Sequence, residues 1–214
     1  MRECKVTFID HMGSDLTVVN TARASFDKQV EKFSDRDERL INFLARNGHW
    51  TPFAHCSIQF RIEAPIFVAR QLVKHQVGLV WSEVSRRYVT TEPDYYRPRV
   101  WRSNPENIKQ GSSDIPADLN QEDIDDIAQH LKSSSDLYKR LLKKGVCPEM
   151  ARMLIPGNMV TSWYWTGSLY AFARVVNERC ANDAQRETKE VGDGIALEGK
   201  RLFPVSWKAL VNEV

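Results

Sequence analysis

From Cys56 to Ile62 the residues alternate with period two: Cys56, Ile58, Phe60 and Ile62 are apolar, and Ser57, Gln59 and Arg61 are polar. That period predicts a β-strand with one buried and one polar face, because successive side chains leave a strand on opposite sides. A one-sided strand needs neighbours for its backbone hydrogen bonds and a layer over its apolar face. Cys4 to Ile9 alternates in the same way and predicts a short first strand, closed by Asp10 to Ser14 with Gly13. Pro65 then opens a helix, since its fixed φ suits the first turn. This helix is expected to carry Ile66, Phe67, Ala69, Leu72 and Val73 inward and to end near Gly78. Val80 to Thr91, rich in β-branched residues and Tyr, reads as another extended segment with Glu83, Ser85 and Arg87 on one side.

The remaining periodicities are mostly helical. A first helix is expected from about Leu16. Ser34 to Asn47 has a capping Ser, early acids, an apolar stripe of Leu40, Ile41, Phe43 and Leu44, and an Asn-Gly stop. Gln121 to Lys144 carries acids at its start and Lys139, Arg140, Lys143 and Lys144 at its end, which matches a helix dipole. Pro148 begins a helix bearing Arg152, and Trp163 to Arg179 and Ala184 to Phe203 read as two more. Residues from about Arg102 to Asn120 are rich in Ser, Asn, Pro and Gly, and predict a surface connection that is partly mobile. Strands early and helices late define an α+β fold with a C-terminal helical lobe, in one domain over residues 1–214.

The helix-to-strand passage from Arg70 to Tyr88 concentrates charge. Arg70, Lys74, Arg86 and Arg87 face a single acid, Glu83, and His75, Gln71, Gln76, Ser82 and Ser85 add neutral hydrogen-bonding groups. Such a set suits an anion, above all a phosphate, which Arg grips bidentately and Lys as a point charge. A solvated basic face remains the plainer alternative. The net charge of +2 excludes a global field for DNA or an anionic membrane, so any cationic site is local. No apolar run reaches the roughly 18 residues of a membrane span, and MRECKVTFID lacks the apolar core of a signal peptide. A cytoplasmic protein is expected. Cys4, Cys56, Cys147 and Cys180 are too scattered for a zinc site or redox dithiol, and no metal site is expected.

Several segments, in order, resemble the flavin-dependent thymidylate synthases: TARASF from Thr21, NGHWTPFAH from Asn47, APIFVARQ from Ala64, SEVSRRY from Ser82, EMARMLIP from Glu149, TGSL from Thr166, and Arg179 followed by Ala184 to Glu187. The likeness runs from about Gly13 to Phe203. One departure stands out. The family carries an Arg-His-Arg triplet followed after seven or eight residues by Ser; here Lys74, His75 and Gln76 are followed after eight residues by Ser85. Lys74 keeps the charge without the planar fork, and Gln76 keeps only a donor. Arg86 or Arg174 is available to replace the lost cation.

The resemblance implies a mixed or antiparallel sheet with flanking helices, and an enzyme that makes dTMP from dUMP with FAD, NADPH and methylenetetrahydrofolate. It places His49, Thr51, Lys74, His75, Gln76, Glu83, Ser168 and Arg174 against flavin. It places Gln71, Lys74, Ser85, Arg86, Arg87, Arg152 and Arg179 against the pyrimidine nucleotide. It also implies a homotetramer with sites shared between chains. Methylating C5 of uracil needs a nucleophilic C5, reached either by a thiolate on C6 or by stabilising charge at N3 and O4. Arg179 is the expected polarising group, and Cys180 the rival nucleophile. A salt bridge from Arg179 to Glu187 is the structural alternative for that arginine. Two other functions stay open: hydroxymethylation of a pyrimidine nucleotide, and single-strand nucleic-acid binding through the run of Arg86, Arg87, Tyr88, Tyr95, Tyr96, Arg97, Arg99, Trp101 and Arg102.

Overall fold

The computed structural model describes residues 3–105 and 112–212. Its sheet has four strands, β1 (Lys5–Met12), β2 (Ser57–Pro65), β3 (Leu79–Glu83) and β4 (Val160–Ser168), antiparallel throughout in the order β1-β2-β4-β3. The alternation that marks β2 places it centrally: Ile58, Phe60 and Ile62 are fully buried and Arg61 is exposed. Register aligns Phe8, Phe60, Trp165 and Trp81 across the four strands, so one row of aromatic rings crosses the inner face. Trp81 stacks on Trp163 at 4.3 Å, and Phe172 meets both Phe60 and Trp165 edge-on at 5.1 and 5.3 Å.

Helices α1 (Asp15–Arg23), α2 (Asp35–Arg46), α3 (Thr51–Ala54), α4 (Ile66–Leu72), α7 (Leu169–Arg179), α8 (Arg186–Leu202) and α9 (Pro204–Leu210) supply the rest of this core. Ser14, expected to close the first strand, caps α1 in a reciprocal box with Thr17. Buried Asp15 accepts from the backbone N–H groups of Val205 and Ser206, so a carboxylate from the chain's beginning seats the first turn of α9. The long α5 (Gln121–Lys143), boxed by Asn120 and Asp123, packs on α6 (Pro148–Ala151) and the 3-10 turn Arg152–Leu154. Among the described residues no helix is long and apolar enough to cross a membrane.

Three local expectations are corrected. Trp163 to Arg179 is not one helix: β4 occupies Val160–Ser168, and α7 begins only at Leu169. Thr161, Trp163, Trp165 and Gly167 are buried in alternation, and Ser168 caps α7 by accepting from the Ala171 N–H at 3.2 Å. The helix after Pro65 ends at Leu72, with Val73 as its cap, instead of near Gly78. The chain must turn back at once to pair with β4, and Gly78 at φ +77° makes that turn in a region open to glycine. The strand also ends at Glu83, with one further bond from the Val84 N–H to the Ser162 carbonyl; beyond it Ser85 accepts the Arg87 N–H and Tyr88 N–H returns to the Ser85 carbonyl, so the strand expected to Thr91 becomes a turn. The Arg102–Asn120 connection is irregular, with a bridge between Arg102 and Pro116; the expectation of mobility falls partly on residues 106–111, outside those described.

Candidate active site

Because α4 stops at Leu72, Lys74, His75 and Gln76 lie on the turn leading into β3, not on a helix face. Neither Arg70 and Lys74 nor Gln71 and His75 therefore share a helix face. That turn packs instead against α7. Together they enclose a cavity of about 230 Å³ lined by Lys74, His75, Gln76, Val77, Leu79, Ala171, Arg174, Glu178 and Arg179. A second cavity of about 450 Å³ opens on the other side of Arg179, walled by Gln71, Arg102, Ser112, Asp183, Ala184 and Gln185. Glu178 and Arg179 line both.

Arg179 is the last residue of α7, half-buried, and its Nε donates to His75 Nε2 at 2.8 Å. The acceptor nitrogen carries no proton, so His75 is neutral with its proton on Nδ1. Burial pushes the His75 pKa below its ordinary 6.5, the Arg179 and Arg174 cations push it further down, and Glu178, 3.9 Å away, pulls the other way. A group with a depressed histidine pKa contributes stability above its unfolded value and loses it as pH falls through the folded one. Below pH 6.5 the wild type is thus expected to lose melting temperature faster than His75→Gln, whose amide oxygen still accepts from Arg179. Parallel pH profiles of the two proteins would contradict the bond.

Cys180 follows Arg179 but points away. It is buried against Gly192, where an added Cβ would lie 2.5 Å from its sulfur. Burial and the Asp193 carboxylate push its thiol up to about 12, which leaves almost no thiolate at neutral pH. Cys180→Ala is expected to retain turnover within a few-fold of wild type; abolished turnover in a folded variant would restore the thiolate route. The alternative bridge from Arg179 to Glu187 does not form, because Glu187 pairs with Arg102 at 2.9 Å.

The other candidate residues lie in two further groups. Glu83 ends β3, accepting from Trp81 Nε1 and Thr161 Oγ1. Beyond it Arg86 donates to the Thr91 carbonyl, Arg87 approaches Glu149 at 4.0 Å, and Arg152 donates to the Glu149 carbonyl. With a strand rise of about 3.4 Å per residue, β3 is roughly 14 Å long from Leu79 to Glu83, and Ser85, Arg86 and Arg87 follow its far end while the His75 turn precedes its near one. Of the two arginines available for the lost cation, Arg174 lines the Lys74 cavity and Arg86 does not. His49 is exposed and stacks on Phe43, while Thr51 opens α3; the intervening Trp50 meets Tyr170 and so brings this turn to the start of α7. Ser168, the α7 cap, adjoins Gly78.

Sequence gives no role to Glu178 or Gln185, and to Glu187 only that of an alternative partner for Arg179. Gln185 and Glu187 fall within the quoted run after Arg179, but their partners are Gln71 and Arg102, distant in the chain. The aromatic and cationic run from Arg86 to Arg102 is largely engaged within the molecule: Tyr95 accepts from Ser135, and Tyr96 and Arg102 donate to Glu187. Of its rings, Tyr88 and Trp101 remain exposed.

An α+β domain with a guanidinium held between two polar cavities defines the class of site, and sequence comparison places it. The chain belongs to the family described as "Thymidylate synthase complementing protein", whose model matches residues 7–205. It is 35% identical over 208 residues to a flavin-dependent thymidylate synthase of Kosmotoga olearia, covering 97% of this chain and 90% of that one. A flavin-dependent thymidylate synthase of Thermosipho africanus is 35% identical over 205 residues, with 95% and 89% covered. Among solved structures, the UMP/dUMP methylase PolB of Streptomyces cacaoi bound with 5-Br dUMP superposes with a TM-score of 0.84 at 26% identity, covering 99% of this chain and 98% of that one.

Proposed function

We propose that this chain makes dTMP from dUMP by reductive methylation, with methylenetetrahydrofolate as carbon donor, FAD as hydride carrier and NADPH as reductant. The observation that carries the reading is Arg179: a permanent cation fixed by His75 between two cavities, beside a cysteine that packs into the core. A guanidinium in that place stabilises charge developing at N3 and O4, so that C5 attacks the carbon donor without a covalent link to the protein.

The smaller cavity fits part of a flavin. Lys74 and Arg174 offer cations and Gln76 a donor for a pyrophosphate, while Val77, Leu79 and Ala171 supply an apolar wall. When bound, flavin supplies the hydride that completes the methyl group. The cavity's 230 Å³ lies below the roughly 300–1,000 Å³ of pockets for drug-sized ligands, so one chain provides only part of the wall. That shortfall, and the remoteness of Ser85, Arg86, Arg87 and Arg152 from Arg179, support a homotetramer in which one chain's β3 end completes another chain's nucleotide site. His49, Thr51, Glu83 and Ser168 complete the flavin contacts in this reading, which is of a cytoplasmic enzyme.

The test is flavin dependence. The purified chain, supplied with FAD, is expected to turn yellow and to consume dUMP only when FAD, NADPH and methylenetetrahydrofolate are all present. UMP is assayed beside dUMP, because the Streptomyces methylase is named for both. A colourless chain that takes up no FAD and consumes neither nucleotide would overturn the reading.

A further inference from the structure

Around the larger cavity, read as the nucleotide site because Gln71 and Arg179 both line it, a hydrogen-bonded relay joins four parts of the chain. Arg102, on the connection before α5, donates to both carboxylate oxygens of Glu187 at 2.9 and 3.1 Å, and the Tyr96 hydroxyl donates to the same group at 3.3 Å. Gln185 Nε2 donates to Glu187 Oε2 at 3.0 Å, Gln71 Nε2 donates to Gln185 Oε1, and Thr188 Oγ1 donates to Gln71 Oε1 at 3.1 Å. The Glu187 and Thr188 residues are buried, and the Arg102 side chain is 15% exposed. Burial pushes the Glu187 carboxyl up, but its own backbone and the Arg102 guanidinium reverse this and hold it below its ordinary 4.5, so it stays ionised.

This charge at one end orients every amide in the relay. Arginine only donates and an ionised carboxylate only accepts. Gln185 must therefore turn its NH₂ to Glu187 and its carbonyl to Gln71. Gln71 must in turn point its NH₂ at Gln185 and leave its carbonyl to Thr188. With its carbonyl held toward Thr188 and one N–H given to Gln185, Gln71 has its second amide N–H left as a donor for the cavity it shares with Arg179.

We propose that the Arg102–Glu187 ion pair, acting through Gln185, is a positioning device that locks Gln71 as a hydrogen-bond donor toward an acceptor oxygen of the bound nucleotide. This rests on the reading of that cavity as the nucleotide site. The relay then has Gln71 and Arg179 present donors side by side in this cavity. An amide free to flip would present its oxygen half the time and repel the same acceptor.

Three variants and their combination test this in the FAD-loaded protein, by calorimetric titration of dUMP and dCMP and by flavin fluorescence. Wild type is expected to bind dUMP; failure there defeats the functional reading and not the relay. Glu187→Gln keeps the shape and removes the charge, and Gln185→Met breaks the relay while leaving the ion pair intact should the first variant not fold. Each is expected to weaken dUMP binding about tenfold, the value of one hydrogen bond to a charged or fixed partner, with FAD affinity unchanged. Gln71→Leu is expected to lose as much, and Gln71→Leu/Gln185→Met no more than Gln71→Leu alone, because both act on one donor. A loss confined to dUMP puts the acceptor oxygen at O4, where cytosine carries an amino group; an equal loss with dCMP puts it at O2, which both rings share, or on the sugar or phosphate. Losses that add in full, or that fall equally on FAD, would overturn the relay.

Discussion

Arg179→Ala is expected to lower the rate of dTMP formation by about a hundredfold to a thousandfold, the cost of removing one preorganised donor from a developing oxyanion, or roughly 3–4 kcal/mol. The protein should remain folded. Arg179 ends α7 and is half-buried at the mouth of two cavities, so its truncation leaves His75 Nε2 open to water rather than sealed in the core. Arg179→Lys keeps the charge but loses the fork and the Nε–H that His75 accepts, and is expected to recover only part of the rate. Steady-state kcat for dTMP formation, measured with saturating dUMP and FAD, decides it. A near-normal kcat in Arg179→Ala would remove this residue from the chemistry.

The largest loss of stability is expected from Trp165→Ala. Trp165 is fully buried at the centre of the aromatic row, opposite Phe60 and Trp81 in register and edge-on to both Trp81 and Phe172. Deleting so large a side chain removes its transfer energy and leaves a cavity that the sheet cannot collapse to fill. The cost is about 3–5 kcal/mol, which for a domain of this length lowers the melting temperature by on the order of 10 °C. Its neighbour Tyr164 lies on the opposite face of β4 and is 47% exposed. Tyr164→Ala is expected to cost far less, and thermal denaturation of the pair of variants compares the two faces of one strand. Equal losses would mean that the outer face is as firmly packed as the inner one.

The same strand shows how far sequence could reach. β2 was legible because apolar and polar residues alternate without a break from Cys56 to Ile62, and one period fits. In β4 the run Trp163-Tyr164-Trp165 is apolar at every position, so it shows no period of its own; burial of Trp163 and Trp165 and exposure of Tyr164 are decided by the neighbouring strands. The end of α4 was missed for a related reason. Arg70, Gln71 and Lys74 are good helix formers, but β3 must begin at Leu79 to pair with Gly167, and that tertiary requirement overrides propensity. At the site, Lys74, Gln76, Arg174 and Arg179 could be named from ordered motifs, and they line one cavity. The relay behind them could not. Its links join Arg102 to Glu187 and Gln71 to Gln185 and Thr188, residues separated in the chain by whole elements, and no local spacing records such pairings.

The central claim is that the chain finishes a methyl group on C5 of dUMP, with flavin in place of a protein thiolate. Mass analysis of the nucleotide product made by the Cys180→Ala variant, in the presence of FAD, NADPH and methylenetetrahydrofolate, tests it most directly. The account predicts dTMP, formed only when FAD is present. Recovery of unchanged dUMP, or of a hydroxymethylated nucleotide, would contradict it.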